Sequence, residues 1–141
     1  MSLQEYIKQY YFPPSNSLRE PPPVFVTSEV SFAEEILNYV DSHFEKDSLF
    51  YEKANISRQA YYKLRTTKNY MPTKSTAFAC AVALKLSMEE TESLLKKAGM
   101  AFSRSSLMDV IVEYYIENGE YDLDKINEVL DDYGQPLLGG R

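Results

Sequence analysis

The chain has 141 residues, 44% of them hydrophobic, and a formal net charge of −6. This suits one compact domain with a real core and an additional arm, and the acidic balance speaks against a general nucleic-acid binder. No apolar run approaches the roughly 18 residues of a membrane-spanning helix, so no membrane partner is expected.

Residues 2–11 read as one short helix, with Ser2 and Glu5 at capping-box spacing. Its aromatics, Tyr6, Tyr10, Tyr11 and Phe12, need a surface to pack on, and Pro13 and Pro14 end it. Together with Pro21, Pro22 and Pro23 they mark residues 1–30 as an N-terminal arm with a Pro-rich linker, extended in the polyproline manner. The helical domain then runs over 31–141. Ser31 and Glu34 open its first helix, which carries Phe32, Ile36, Leu37, Val40 and Phe44 at helical spacing. Asp47 or Ser48 caps a short second helix ending near Asn55.

The stretch FYEKANISRQAYYKLRTTKNYMP, 50–72, organises the rest. Ser57 is the expected cap of a third helix reaching Thr67, and Asn55 sits where the preceding turn needs a residue that tolerates positive φ. Ala60, Tyr61 and Leu64 form the apolar face of that helix. Arg58, Gln59, Tyr62, Lys63 and Arg65 fall off it, toward solvent. Pro72 closes the following loop, and Thr73 caps a fourth helix whose AFACAVALKL segment is dense in alanine, allowing close helix approach. Ser87 with Glu90 starts a fifth helix that stops at Gly99. Ser105 or Ser106 caps a sixth, with Leu107, Val110, Ile111, Tyr114 and Tyr115 inward. Asp122 caps a seventh, with Leu123, Ile126, Val129 and Leu130 inward, and the Leu138-Gly139-Gly140 end reads as a flexible tail. No stretch alternates with period two, so the fold class is all-α.

The segment ANISRQAYYKL, its Pro-closed loop and STAFACAVALKLS resemble the helix-turn-helix of lambda-repressor-like (Cro/C1-type) regulators. In that family an apolar residue and a serine open the recognition helix, as Ile56 and Ser57 do here, and a Pro loop leads into an alanine- and leucine-rich helix. SMEETESLLKKAG is similar to the fifth-helix region of such domains. The chain departs from the family in having Asp47 where a phosphate-contacting Gln opens the second helix, a loop one residue longer before Pro72, and Arg65 in place of an acidic residue. The longer stretch through YYIENGEYDLDKINEVLDDYGQPLLG resembles a bacterial all-α domain of unestablished activity, found alone or behind other domains such as macro domains. The resemblance implies a lambda-repressor-like core of about five helices, residues 31 to about 99, with two additional C-terminal helices, and with Tyr61 and Leu64 of the recognition helix buried against the Ala79–Val82 face of the fourth helix.

Charge is unevenly spread. Lys53, Arg58, Lys63, Arg65, Lys68 and Lys74 are the only charged residues from 53 to 74, whereas 109–132 is acidic except for Lys125. A groove-docked helix needs cations to displace counterions and polar side chains to read base edges. The candidate nucleic-acid-binding residues are therefore Ser57, Arg58, Gln59, Tyr62, Lys63, Arg65, Lys68 and Lys74: Arg58 and Gln59 for bases, Lys63, Arg65, Lys68 and Lys74 for phosphates, and Tyr62 for stacking or for a phosphate. The expected function is a non-enzymatic, DNA-binding regulator-like domain. The alternative is a protein–protein adaptor that keeps the helix-turn-helix shape, which the twelve tyrosines favour. The partners admitted are duplex DNA, a protein partner or a homodimer.

No catalytic residue is assigned. The S-x-x-K at 93–96 and the Tyr70/Lys74 pair lack the companion motifs those chemistries need. With His43 the only histidine, no metal set or cofactor is expected. The single cysteine, Cys80, reads as a buried small hydrophobe. It cannot form an internal disulfide, and MSLQEYIKQYY lacks the regions of a signal peptide, so the expected setting is cytoplasmic.

Overall fold

The computed structural model describes residues 1–14 and 30–140, so Pro21, Pro22 and Pro23 of the expected linker lie outside the described residues. The described residues form eight helices and no strand: α1 (Leu3–Tyr10), α2 (Phe32–His43), α3 (Asp47–Lys53), α4 (Arg58–Thr66), α5 (Lys74–Ala83), α6 (Met88–Lys97), α7 (Leu107–Glu117) and α8 (Leu123–Asp132). The all-α expectation holds.

The helix starts follow from local chemistry. Ser2, Ser31, Ser57, Thr73, Ser87, Ser106 and Asp122 each accept a hydrogen bond from the backbone N–H three residues on, which satisfies a donor left over by the first turn. At Ser87 the bond is reciprocal, because Glu90 accepts from the Ser87 N–H. The exception is α3. Its cap residue is Lys46, which makes no side-chain cap bond, and Asp47 lies inside the first turn instead of capping it. A carboxylate there still favours the positive end of the helix dipole. Asn55 takes φ +56°, as its place before Ser57 requires. Asn69 and Lys85 also have positive φ, and Lys85 ends α5 where no local signal marks the turn.

The alanine-rich helix α5 is the hub. Every residue from Ala77 to Ala83 is buried, and α5 packs on α6 and α8. Small side chains on all faces let neighbours approach from several directions. Cys80 is fully buried there, as expected, and burial pushes its thiol up to about 12. On the other side, α2 contacts α3, α4 and α6, and α3 contacts α4. Tyr61 and Leu64 of α4 are buried, but α4 rests mainly on α2 and α3 rather than on the Ala79–Val82 face of α5 that the repressor pattern implied. The Tyr61 ring sits 5.8 Å from that of Phe50 and 5.5 Å from that of Tyr51, both on α3.

Two peripheral segments close the structure. Helix α1 lies on α7, where Tyr6 meets Tyr114 edge-on at 5.3 Å and the Arg104 guanidinium stands 4.4 Å from the Tyr10 ring centre. At the other end, residues 137–140 are not a flexible tail. Leu138 is fully buried, its N–H donates to Asn127 Oδ1 at 2.7 Å, and its carbonyl accepts from Asn127 Nδ2 and Asn55 Nδ2 at 3.2 and 3.1 Å.

Candidate nucleic-acid interface

The candidate surface is built on α3, the turn 54–57 and α4. Within the turn, the Ile56 N–H reaches back to the Tyr51 carbonyl at 2.9 Å, and Ala54 and Ile56 are buried, so the backbone is held from both sides. Ser57 Oγ accepts from the Ala60 N–H at 3.1 Å, so this candidate residue serves its own helix.

With the apolar face of α4 turned inward, Arg58, Gln59, Tyr62 and Lys63 come out exposed on the other side. The Arg58 guanidinium lies 5.6 Å from the centre of the Tyr62 ring, a cation–π contact one helical turn long. Neither Arg58, Lys63 nor Lys68 has an acidic partner among the described residues. The acidic helix α8 does not cover this face, since its main neighbours are α5 and α7.

Two candidate cations are placed differently. Arg65 bridges Asp41 on α2 and Asp47 on α3, at 2.8 and 3.0 Å, and its Nε donates to the Tyr61 hydroxyl at 3.1 Å. Burial works against its charge, but the hydrogen bonds to Asp41, Tyr61 and Asp47 outweigh it and hold the guanidinium more firmly protonated than usual. Burial also pushes the Tyr61 hydroxyl up to about 12, against the pull of Arg65. Arg65 thus ties three helices together, with its planar fork directed at carboxylates of its own chain. Lys74 is ion-paired with Asp109, a buried carboxylate that also accepts from the Ser103 N–H and the Ser106 hydroxyl, at 2.8 and 3.0 Å. The set therefore divides. Arg58, Gln59, Tyr62 and Lys63 share one outward face, Lys68 follows α4 on the exposed loop, and Arg65 and Lys74 are engaged internally.

Sequence reasoning missed the second role of Asn55. Besides accommodating the turn, its side chain binds the carbonyl of Leu138. It also missed a cleft of about 430 Å³ lined by Val30, Glu35, Asn38, Tyr39, Ser42, His43 and Lys97, within which Lys97 is paired with Glu35 and His43 Nδ1 lies 3.0 Å from the Tyr39 carbonyl. Among the described residues, no group of three or more His, Cys, Asp or Glu side chains is placed to hold a metal ion, and no helix is long and apolar enough to cross a membrane. No protein-family model, curated protein or solved structure matches the chain.

Proposed function

We propose that this chain is a non-enzymatic, DNA-binding regulator-like domain in which α3 and α4 form a helix-turn-helix unit of the lambda-repressor-like kind. In this reading α2–α6 are the repressor-like core, α7 and α8 are its additions, and α4 enters the major groove of duplex DNA. The observation that carries it is the outward face of α4: Arg58, Gln59, Tyr62 and Lys63 are exposed together, and neither Arg58 nor Lys63 is ion-paired with an acid among the described residues. An arginine and a glutamine at a helix start suit guanine and adenine edges, and Lys63 and Lys68 suit phosphates. A net charge of −6 repels DNA at long range. Useful affinity then calls for two copies on half-sites about 34 Å apart.

The second reading is a protein–protein adaptor. It is favoured by Arg65, whose charge is already answered by Asp41 and Asp47, and by the exposed ring of Tyr62. Selection from a random duplex pool at about 50 mM salt separates the two. The DNA reading expects retained duplexes with a sequence preference that Arg58→Ala relaxes and Lys63→Ala leaves intact. If no duplex is retained, that reading falls. The adaptor reading instead requires Tyr62→Ala or Lys63→Glu to abolish a protein contact, seen in sedimentation as lost self-association.

A further inference from the structure

Residues 137–140 are held almost wholly through their backbone. Ser75 Oγ donates to the Leu137 carbonyl at 2.6 Å, and the Gly139 N–H faces the Ser75 carbonyl at 3.4 Å. Asn127 binds both the N–H and the carbonyl of Leu138, and Asn55 binds that carbonyl a second time. Side-chain selection is confined to two places. Leu138 fills a fully buried socket, and position 139 accepts only glycine: its φ is +92°, and a Cβ there would overlap the Asn55 carbonyl oxygen and come within 2.9 Å of that of Ala54. The space between α5, α8 and the turn 54–57 thus holds a bent Leu-Gly segment, and one of its walls is the turn that positions α4.

We propose that the 137–140 segment is a latch, holding the turn 54–57 and so setting how α4 presents Arg58, Gln59, Tyr62 and Lys63. The latch itself stands on the contacts above; its effect on DNA rests on the reading given under Proposed function. The seated segment is the only partner of the Asn55 side chain among the described residues, and the Asn55 backbone is already in the left-handed region. Unseating the segment removes that bond and opens the space beside the Ala54 and Asn55 carbonyls. The turn then loses order at the residue from which Ser57 and α4 are launched, while the α5–α6 packing is untouched. Any event that competes for residues 137–140, or that places a bulkier group at Gly139, acts on α4 through this contact.

The test is hydrogen exchange on the full chain and three variants, Leu138→Ala, Gly139→Ala and Asn127→Ala. Asn127 lies on α8, and the hydrogen bonds of its side chain go to the Leu138 backbone. The reporters are the amides of Ile56, Ala60 and Tyr61, and the controls are those of Thr91 and Met100 at α6, all of them hydrogen-bonded. The latch predicts that all three variants raise exchange at the reporters by about tenfold or more relative to the controls. Unchanged reporters, with the Leu138 amide itself deprotected, overturn it. Duplex binding is measured on the same samples. Loosened reporters with weakened duplex binding support the whole proposal. Loosened reporters with unchanged duplex affinity overturn its regulatory half. Loosened reporters in a protein that binds no duplex uphold the latch and remove the DNA reading.

Discussion

Asn55 Nδ2 donates to the carbonyl of Leu138 across 3.1 Å, joining the tight turn before α4 to a segment 83 residues away. Asn55 therefore does two things. Its backbone occupies the left-handed region at φ +56°, and its amide anchors residues 137–140. Turn geometry alone would make Asn55→Gly neutral or stabilising. With the bond to Leu138 present, Asn55→Gly is expected to destabilise by about 0.5–1.5 kcal/mol. Asn55→Val, which adds strain from a β-branched residue at positive φ, should be worse by a further ~1–2 kcal/mol. Urea denaturation of the three proteins checks the order; equal midpoints would place the turn's stability elsewhere.

Leu64 is buried on the inward face of α4, a helix whose main neighbours are α2 and α3. Leu64→Ala should cost about 2–5 kcal/mol, the usual range for a buried leucine. An unchanged melting curve would show that α4 does not use this face.

Lys74 and Asp109 test whether a cation near the basic stretch is structural. Asp109 is 1% exposed, and removing Lys74 leaves its carboxylate buried without its cationic partner, though the Ser103 N–H and the Ser106 hydroxyl still donate to it. Because Lys74 is itself partly exposed, Lys74→Met is expected to cost up to about 3 kcal/mol, at or below the low end for breaking a buried pair. It should leave the affinity for duplex DNA unchanged, measured where the variant is fully folded. Equal losses of affinity for Lys74→Met and Lys63→Met would put Lys74 on the interface.

The alkaline limb of stability is set by buried acids. Burial raises the Cys80 thiol from 9.0 to about 12 and the Tyr61 hydroxyl from 10.0 to about 12. Above these ordinary values the unfolded chain releases protons that the folded chain keeps, so the unfolded state is favoured. The contribution is fully present below about pH 9 and is lost as pH rises from about 9 toward 12. Cys80→Ala should flatten the fall of stability in that window, whatever its effect at neutral pH. A slope identical to that of the parent would contradict the buried, protonated thiol.

Features that depend on a few adjacent residues were legible in the sequence. The seven side-chain caps, the left-handed Asn55, the inward Tyr61 and outward Tyr62, and the buried Cys80 follow from capping chemistry and helical period. What was not legible depends on partners far along the chain. Arg65 lies off the apolar face of α4 and so reads as solvated. Its acids, Asp41 and Asp47, reach it only once α2, α3 and α4 are packed. Lys74 looks like part of a basic run until α7 brings Asp109 beneath it. Leu138-Gly139-Gly140 has the composition of a loose end, and nothing near it in sequence announces the sockets at Asn55, Ser75 and Asn127. The helix against which α4 packs also escaped a reading by analogy, because Phe50 and Tyr51 supply an aromatic floor on α3.

The salt dependence of duplex binding tests the nucleic-acid reading most directly. With Arg65 and Lys74 engaged internally, Arg58, Lys63 and Lys68 remain to meet phosphates. Each phosphate neutralised contributes about −0.9 to the slope of log affinity against log salt, so about −3 per subunit is expected. Lys63→Ala should weaken binding about equally on all sequences and flatten that slope by about one, whereas Arg65→Lys should leave it unchanged. A duplex affinity too weak to measure at about 50 mM salt, or a slope that Lys63→Ala does not alter, would contradict the assignment of α4 to DNA.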